Sequence, residues 1–483
     1  MNGLNLIDGT WTEGADELAD VNPSDLSDTI GHFARANRAD ARRAVEAART
    51  AFPVWSRFTS LQRSEVLDRA GAEVLARRDD LGNLLAREEG KTLREGVGEV
   101  TRAGQILKFF AGEALRLTGD QIDSIRPGLE VAVTRQPLGV VTVIAPWNFP
   151  IAIPTWKIAP ALAFGNTVVF KPAEPVPACA WALTDILHRA GLPPGALNLT
   201  IGSGREIGDE IVGSPLVDAV TFTGSTGVGE HVLKTAQSHR ARVQLEMGGK
   251  NPLIVADDAD IELAVRVAIE GAFGSTGQRC TASSRLIVTA GIHDEFVDRL
   301  NHARQAMVVG DARHPSTDMG PVVDAGQLAQ DRRYINVAVS EGATVFGGEL
   351  VKSEAAGHYL APTLLVGTSN ADTVNREEVF GPVASVIRVE TYEEAIATAN
   401  DTEYGLAAGI VTTSLRRATH FRRHAQAGMV MVNVPTAGVD FHVPFGGAKG
   451  SSYGPREQGA YAKDFYTSIK TAYTDAFAGE GWS

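Results

Sequence analysis

The spacing of apolar and polar positions along the chain changes from a helical to a strand-like period near residue 138. Apolar and charged residues recur at the helical period from Asp40 to about Leu117, most clearly at 39–48, 61–77 and 97–117. A polar stretch at 129–136 then predicts an extended segment. The first quarter of the chain is therefore predicted to be largely helical.

Short β-branched runs follow, and segments of helical period separate them. The predicted strands are 140–145, 166–170, 197–200, 217–222 and 243–245, and the predicted helices are 156–163, 177–189, 205–212 and 227–236. This alternation indicates an open parallel α/β sheet, and ligands of such sheets bind at the carboxyl ends of the strands.

A second α/β set begins after Gly248 and Gly249, which mark the predicted junction. Its predicted strands are 252–256, 284–289, 384–389 and 409–411. The tail at 465–470 is predicted to be a lone strand. A lone strand needs a partner edge, so we expect it to pair with another subunit.

Composition narrows the class of protein. A chain of 483 residues is expected to form two or three domains. The net charge of −13 argues against nucleic-acid and anionic-membrane partners. Two cysteines provide no disulfide framework, and the histidines do not cluster, so we predict no structural metal and a reducing, cytoplasmic location. Residues 1–21 lack the pattern of a signal peptide.

The apolar stretch 138–156 is long enough to be considered as a membrane span. It contains Pro146, Pro150 and Pro154, however, and prolines at that spacing break a helix. We therefore predict a buried strand, a tight loop and the start of a helix.

Cys280 is the first candidate for chemistry, because it follows glycines and small polar residues in the run 273–280. Gly274 and Gly277 would let the backbone approach a substrate closely, and the thiol could form a covalent thioester. The same segment also fits an inert, half-buried thiol. The other cysteine, Cys179, lies in an apolar helical pattern and is predicted to pack in the core.

Two turns at strand ends are candidates for holding a nucleotide. In the run 222–229, Gly224 and Gly229 would expose backbone N–H groups to a phosphate, with Ser225 capping the next helix. After the second strand, Lys171 and Glu174 could grip ribose hydroxyls. An ordinary glycine turn and an ordinary surface turn fit the same residues.

Three further polar groups stand beside glycines, prolines or aromatic rings. Glu246 leads into Gly248 and is a candidate general base. Asn148, in an apolar loop, could donate to an oxyanion. Glu378, two residues before Phe380, could hold a second ribose beside a flat ring. Each also fits a purely structural role.

In this order and number, the motifs resemble those of the aldehyde dehydrogenase superfamily along essentially the whole chain. The matching motifs are Pro146-Trp-Asn-Phe-Pro150, Lys171-Pro-Ala-Glu174, Phe222-Thr-Gly-Ser225, Glu246-Met-Gly-Gly-Lys250, Gly277-Gln-Arg-Cys280, Glu378-Val-Phe-Gly-Pro382 and Pro444-Phe-Gly-Gly447. The spacing between Glu246 and Cys280 also resembles that between base and nucleophile in the family.

The resemblance implies a fold and a set of bounds. The expected fold has two open α/β domains, a Rossmann-like cofactor domain and a catalytic domain, plus a small β oligomerisation element. The implied bounds are 1–125 and 146–248 for the cofactor domain, 249–445 for the catalytic domain, and 126–145 with 446–483 for the oligomerisation element. A homodimer or homotetramer is expected.

The resemblance also implies roles in an aldehyde oxidation that uses NAD, with NADP as an alternative. Cys280 would be the nucleophile, Asn148 an oxyanion donor and Glu246 the base that activates water. The presence of Glu246 favours hydrolysis over transfer to coenzyme A. The implied cofactor-binding residues are Ile144, Pro146, Trp147, Lys171, Glu174, Gly204, Phe222, Gly224, Ser225, Gly248, Glu378 and Phe380.

Substrate contacts are implied for residues around the nucleophile, together with the loop 435–442. These residues are Phe149, Ile153, Trp156, Arg279 and Thr281. Arg279 could pair with a distal carboxylate or bind within the protein, and Arg285 is a weaker alternative. The closing stretch of the chain resembles the members that oxidise 2-oxoglutarate semialdehyde, so a short carboxylated semialdehyde is the expected substrate.

Other substrates and other functions stay open from the sequence. Succinate semialdehyde, glutarate semialdehyde and a broad range of aldehydes are alternatives, whereas a cationic betaine aldehyde fits poorly beside Arg279. A cofactor-free cysteine hydrolase and a non-catalytic protein of the same fold are more remote alternatives.

Overall fold

The computed structural model of the protein describes residues 2–14 and 16–475. Its α-helices are α1 (Arg38–Trp55), α2 (Ser60–Ala76), α3 (Arg78–Glu89), α4 (Leu93–Leu115), α5 (Ala152–Ala163), α6 (Pro177–Arg189), α7 (Gly204–Val212), α8 (Thr226–Gln237), α9 (Ile261–Phe273), α10 (Ala290–Gln305), α11 (Ala325–Ser340), α12 (Thr373–Arg376), α13 (Tyr392–Asn400), α14 (Leu415–His424) and α15 (Lys463–Tyr466).

The strands in the same residues are β1 (Asn2–Gly3), β2 (Asn5–Ile7), β3 (Thr10–Thr12), β4 (Asp16–Val21), β5 (Thr29–Arg35), β6 (Asp120–Asp123), β7 (Leu129–Pro137), β8 (Val140–Ile144), β9 (Thr167–Lys171), β10 (Leu197–Leu199), β11 (Ala219–Thr223), β12 (Arg242–Glu246), β13 (Asn251–Val255), β14 (Ser283–Thr289), β15 (Thr344–Phe346), β16 (Thr363–Val366), β17 (Val383–Val389), β18 (Ala407–Val411), β19 (Met429–Val432), β20 (Ser452–Tyr453) and β21 (Thr467–Asp475).

An eight-stranded sheet has the order β20-β12-β11-β8-β9-β10-β2-β3. Its five central strands, β8 to β12, are mutually parallel, which confirms the predicted open α/β sheet. The carboxyl ends of four of them, at Ile144, Lys171, Thr223 and Glu246, lie along one edge of the sheet. The antiparallel strands β2 and β3, at the edge of this sheet, were not predicted.

Capping boxes start three of the four N-terminal helices, α1, α2 and α4. Thr92 and Glu95 form a capping box at the start of α4, in which each side chain accepts a hydrogen bond from the other residue's backbone N–H. The buried face of α4 packs against α2, α3 and α5. This arrangement brings α4 to the start of α5, next to the loop that carries Asn148.

A seven-stranded sheet has the order β15-β16-β17-β14-β13-β18-β19 and is parallel apart from the β15–β16 pair. The four strands predicted for the second α/β set all lie in it. This confirms the expected fold of two open α/β sheets. β16 and β19 were not predicted.

A separate three-stranded antiparallel sheet has the order β21-β7-β6. The strand at the end of the chain was predicted, but it is not a lone strand; its pairing with another subunit stays a prediction, because β21 is an edge strand of this sheet. β21 pairs along its whole length with β7 of the same chain, from Thr467 opposite Pro137 to Asp475 opposite Leu129. It begins at Thr467, because the two residues before it end the short helix α15.

One predicted bound does not coincide with the sheets. The oligomerisation element was expected to include residues up to 145, but β8 lies in the middle of the eight-stranded sheet, between β9 and β11. β8 is wholly apolar apart from Thr142, and four of its five residues are buried, so it belongs to the core. Residue 1 and residues 476–483 of the predicted elements lie outside the described residues.

The apolar stretch at 138–156 forms β8, a proline-containing loop and the first turn of α5, as predicted. Among the helices of residues 2–14 and 16–475, none combines the length and the apolar character that crossing a membrane requires.

Candidate active site

Cys280 lies in the connection between α9 and β14, directly after a tight turn at 274–277. Ser275 and Thr276 have φ angles of 49° and 57°, in the left-handed region that non-glycine residues rarely adopt. Gly277 also has a positive φ, and a Cβ there would lie 2.1 Å from the carbonyl oxygen of Gly381. The glycine therefore accommodates a neighbouring loop, rather than a substrate as the sequence suggested.

Side chains from two other elements hold this turn. The Oε1 atom of Glu95 accepts hydrogen bonds from the backbone N–H of Ser275 at 2.7 Å and from Arg279 Nη2 at 2.9 Å. The amide of Asn251 donates to the Cys280 carbonyl at 2.8 Å. Gly274, the other glycine expected to face substrate, lies against the Arg279 guanidinium. The nucleophile loop is therefore fixed before any ligand binds.

The Cys280 thiol is in an environment that disfavours its anion. Burial, followed by the negative charges of Glu378 and Glu246, raises its pKa to about 12. Its own backbone N–H opposes this shift by donating to the sulfur. The side chain is nevertheless reachable, because it lines two cavities at once.

Asn148 lies on the loop between β8 and α5 and is 2% exposed. Its Nδ2 donates to the carbonyl oxygen of Gln278 at 2.9 Å, so one amide hydrogen is engaged and one is left for a ligand. Lys91 donates to the Asn148 carbonyl and, at 2.8 Å, to Glu99. The asparagine is thus oriented from both its side chain and its backbone.

Glu246 ends β12 and is 2% exposed. Its pKa is raised well above the usual range by burial and by the negative charge of Glu457, although Ser452 Oγ donates to it at 2.5 Å. A carboxylate with a raised pKa is a stronger base than an exposed one. Its charge acts on Cys280, so the two groups are electrostatically coupled.

Two cavities meet at Cys280. The first cavity, of about 300 Å³, is lined by Lys91, Glu95, Gly98, Glu99, Arg102, Phe149, Ile153, Trp156, Glu270, Ser275, Arg279, Cys280, Thr281, Ala437, Gly438, Val439 and Phe445. The second cavity, of about 480 Å³, is lined by Pro146, Trp147, Asn148, Thr223, Gly224, Ser225, Thr226, Met247, Gly248, Cys280, Gln327, Gln330, Tyr334, Glu377, Glu378, Phe380 and Tyr404.

The first cavity brings together all five residues predicted to contact substrate. Arg279 is among them, but its guanidinium pairs with Glu95 rather than standing free. Arg285 is not near it: that side chain is fully buried and donates to backbone carbonyls and to Asn370. The sequence did not identify Arg102, which is the other guanidinium of this cavity.

The second cavity contains seven of the predicted cofactor-binding residues: Pro146, Trp147, Gly224, Ser225, Gly248, Glu378 and Phe380. Trp147 and Phe380 meet edge to face, with ring centroids 5.4 Å apart. Glu378 accepts the Gly249 N–H at 2.8 Å, and a Cβ on Gly248 would lie 2.4 Å from its carboxylate. Ser225 is at the N-cap of α8, but its side chain makes no capping hydrogen bond, contrary to the prediction.

Five other predicted cofactor-binding residues do not line the second cavity: Ile144, Lys171, Glu174, Gly204 and Phe222. Ile144, Lys171 and Phe222 lie at the carboxyl ends of β8, β9 and β11, at the same edge of the sheet. Burial lowers the pKa of Lys171 to about 8. Glu174 accepts from Arg35 at 2.8 Å, so its carboxylate is already partly neutralised.

Eight residues of the second cavity were missed in the sequence: Thr223, Thr226, Met247, Gln327, Gln330, Tyr334, Glu377 and Tyr404. Most lie next to a recognised motif or on α11, for which no helix was predicted. Gln327 and Gln330 are three residues apart on α11, a spacing that places both on one face of a helix.

The second cavity suits a dinucleotide. It opens at the carboxyl ends of parallel strands and at the first residues of α8, where N–H groups and the helix dipole favour a phosphate. Glu378 offers a carboxylate for ribose hydroxyls beside an aromatic pair. Gly248 leaves the room that a side chain would fill.

The chain is similar to known proteins over nearly its full length. The family model described as "Aldehyde dehydrogenase family" matches residues 11–472. The chain is 42% identical to the alpha-ketoglutaric semialdehyde dehydrogenase of Bacillus subtilis, over 97% of each chain. It is 39% identical to the 2,5-dioxopentanoate dehydrogenase of Saccharolobus solfataricus, over 98% of each. A crystal structure of betaine aldehyde dehydrogenase from Staphylococcus aureus in complex with NAD+ has a TM-score of 0.95 at 35% identity, covering 98% of this chain and 95% of that one.

Proposed function

Because the chain belongs to the aldehyde dehydrogenase family, we propose that it oxidises 2-oxoglutarate semialdehyde to 2-oxoglutarate. Membership of the family makes it an NAD(P)-dependent enzyme that converts an aldehyde to a carboxylic acid. Two relatives of high identity are named for this semialdehyde, one as its dehydrogenase and one by its synonym 2,5-dioxopentanoate. The substrate assignment is supported by those names and by the chemistry of the first cavity.

The observation that carries the substrate assignment is the presence of guanidinium groups in the small cavity in front of Cys280. A volume of about 300 Å³ suits a short ligand. Guanidinium groups bind carboxylates with charge-assisted, often bidentate hydrogen bonds. A short aldehyde with a carboxylate at its far end matches both the size and the charge of this cavity.

The roles of the catalytic residues follow from their positions. Cys280 Sγ would release its proton to solvent in the cavity that it lines and attack the aldehyde carbon, and the C=O electron pair would move to the oxygen as the C–S bond forms. The free amide hydrogen of Asn148 and the Cys280 N–H would then stabilise the oxyanion. When bound, NAD(P) supplies the hydride acceptor, and Glu378, Ser225 and the Trp147–Phe380 pair are the groups that would hold it.

Glu246 would act in the second half of the reaction. A thioester on Cys280 must be hydrolysed, and the raised pKa of Glu246 makes this carboxylate an effective base toward water. Ser452 orients it through one oxygen. Hydrolysis to the free acid is therefore the proposed outcome, rather than acyl transfer to coenzyme A.

Glutarate and succinate semialdehyde are the second candidates, since both also end in a carboxylate. Preference between NAD and NADP depends on Glu174. Its carboxylate would repel a 2′-phosphate, but the ion pair with Arg35 weakens that repulsion. We propose NAD as the main cofactor, with NADP as an accepted alternative.

We also propose that the protein is a homo-oligomer in the cytoplasm. The sheet formed by β6, β7 and β21 has exposed apolar side chains, including Ile122, Ile469 and Tyr473, at 52%, 66% and 60% exposure. Exposed apolar patches of this kind mark interaction surfaces.

The cytoplasmic location is supported by the cysteines. Both cysteines are free thiols, which fits a reducing compartment. We propose the domain bounds that the family resemblance implied, except that residues 140–145 belong to the cofactor domain rather than to the oligomerisation element.

The test is a comparison of kcat/KM for three five-carbon aldehydes with NAD: 2-oxoglutarate semialdehyde, glutarate semialdehyde and pentanal. The first two share a terminal carboxylate, and only the first has the keto oxygen. We expect the order 2-oxoglutarate semialdehyde, glutarate semialdehyde, pentanal. If pentanal were oxidised as efficiently as the acids, the proposed substrate class would be wrong while the enzyme class would stand.

A further inference from the structure

Three cations and three carboxylates line the first cavity, but the third carboxylate, Glu270, is exposed and forms no ion pair with any of the cations in the described residues. Two of the three cations have partners: Lys91 pairs with Glu99 at 2.8 Å, and Arg279 pairs with Glu95 at 2.9 Å. Arg102 forms no ion pair with any carboxylate in the described residues. The acidic groups that act on it from a distance are Glu99, which is engaged by Lys91, and Asp440, which is exposed.

Unpartnered hydrogen-bond donors surround Arg102. Its Nη2 donates to Gln458 Oε1 at 3.0 Å, but its Nε is buried and has no acceptor. The Nε2 of Gln458 and the indole Nε1 of Trp156 are likewise buried without acceptors among the described residues. The Arg102 guanidinium lies 5.6 Å from the Trp156 ring centroid, so two of these donors are neighbours.

Three orphaned donors in one place need an explanation, because nearly all buried polar groups in proteins are hydrogen-bonded. A buried donor left without an acceptor destabilises the protein, and a buried charge without a partner does so more strongly. Arg102 and Trp156 line the first cavity, so an anionic, oxygen-rich ligand there would supply the missing charge and acceptors for these two groups; Gln458 is fully buried and does not line it. The Arg102 side chain is only half-buried, so such a ligand can reach it.

Arg279 is the competing anchor, and it is less suitable. Its Nε is also unpartnered, but Glu95 neutralises its charge. The same Glu95 oxygen holds the Ser275 N–H, so withdrawing Arg279 toward a ligand would disturb the nucleophile loop. Arg279, the residue next to Cys280, therefore helps to hold the turn at 274–277 through Glu95 and is less available to bind a ligand.

We propose that Arg102, with the indole N–H of Trp156, binds the 2-oxo acid end of the substrate. The proposal rests on the proposed function and names the residues that would select this substrate class. The carboxylate pairs with the guanidinium, and the keto oxygen and the remaining carboxylate lone pairs accept from the neighbouring donors. The aldehyde carbon, at the other end of the substrate, would then face Cys280, which lines the same cavity.

The test measures kcat/KM for the same three aldehydes with the full-length enzyme and its Arg102→Gln, Arg279→Gln and Trp156→Phe variants. Arg116→Gln, at the end of α4 and exposed, is the matched control for loss of one arginine. Melting temperature and NAD binding of each variant report folding. A hydrogen bond to a charged group contributes about 1.5–3 kcal/mol, so Arg102→Gln should lower the acid-to-pentanal ratio about 10- to 100-fold, mainly through KM.

Arg279→Gln should instead lower kcat for acids and pentanal alike and keep their ratio. Trp156→Phe should reduce the difference in kcat/KM between 2-oxoglutarate semialdehyde and glutarate semialdehyde. The proposal is overturned if Arg102→Gln keeps the wild-type ratio, or if only Arg279→Gln abolishes it. If the wild type does not prefer the acids to pentanal, the proposed substrate class fails together with this proposal. If the wild type prefers the acids and Arg102→Gln keeps that preference, only the assignment of Arg102 fails. Should Arg102→Gln not fold, Arg102→Lys replaces it, with a smaller loss of the ratio expected.

Discussion

Cys280 illustrates how much of the chemistry depends on surroundings that the local sequence does not contain. Its pKa is raised by burial and by carboxylates 34 positions earlier and 98 positions later, Glu246 and Glu378. The sequence identified Cys280, Glu246 and Asn148 as candidates, because their motifs, taken together and in this order, resemble those of the family. It could not reveal that Glu95 engages Arg279, since the two are 184 residues apart in the chain.

The environment of Cys280 predicts how the thiol reacts in the cofactor-free enzyme. Because the pKa is raised to about 12, the thiolate fraction should be small at neutral pH and increase about tenfold per pH unit. The rate of alkylation by iodoacetamide should therefore rise continuously from pH 7 to 10. Cys280→Ser should abolish labelling, because Cys179 is fully buried. A plateau at or below pH 8.5 would contradict this description of the thiol.

Arg102 was missed for a reason of the same kind. On α4 it belongs to a regular helical pattern, where an arginine usually lies on a solvated face. Its position in the first cavity becomes apparent only when α4 packs against α5 and the loop 435–442 closes over both. Residues that act from the face of a helix lack the glycine and proline neighbours that identified the motif residues.

At the scale of elements, the connection between α4 and the start of α5 positions Asn148. Glu99 accepts the N–H groups of Ile151 and Ala152, both at 3.0 Å, where the dipole of α5 favours a carboxylate. It also pairs with Lys91, which holds the Asn148 carbonyl. Both side chains are almost completely buried.

Breaking this pair should affect stability and catalysis together. Glu99→Gln leaves Lys91 as a buried charge with a weakened partner, and removal of one partner of a buried pair costs about 3–5 kcal/mol. We expect a lower melting temperature and a lower kcat with little change in KM for NAD. The double variant Lys91→Met/Glu99→Gln should be more stable than the sum of the single effects predicts. Strict additivity would show that the two residues act independently.

Length alone did not decide which elements could be predicted. The three-residue strand β10 was predicted, whereas the 16-residue helix α11 was not. The β-branched runs of the two parallel sheets were recognised because buried strands are apolar on both faces. The pairing of β21 with β7 was not predicted, because pairing between residues more than 300 positions apart cannot be inferred from either strand alone.

For the whole molecule, the proposed oligomer depends on the three-stranded sheet. Ile469 on β21 is apolar and 66% exposed, so a charge there should weaken an interface formed by this surface. Ile469→Asp is expected to reduce the molar mass measured by light scattering. Leu415→Asp, at an 82% exposed position on α14, is the control and should keep the wild-type mass. A monomeric wild type, or an unchanged mass for Ile469→Asp, would refute the interface.

The architecture explains why two reactants can meet at one sulfur. The edge of the eight-stranded sheet forms the second cavity, α4 and α5 form the first, and the loop before β14 places Cys280 between them. The sequence predicted the two sheets and supplied the candidate catalytic residues, but it did not predict the meeting of the cavities, which depends on long-range packing. The place of Cys280 between the cavities, and the action of the Glu246 charge on it, are the basis for proposing that the two residues serve successive halves of one reaction.

The most direct test of this account is rapid mixing of the Glu246→Gln variant with 2-oxoglutarate semialdehyde and NAD. We predict a burst of one NADH per active site, an acyl group on Cys280 detectable by mass spectrometry, and turnover about 10²- to 10⁴-fold slower than in the wild type. Glu230→Gln, an exposed position on α8, should behave as the wild type. Full turnover by Glu246→Gln, or a variant that forms neither burst nor acyl adduct, would contradict the assignment of Glu246 as the base that hydrolyses a Cys280 thioester.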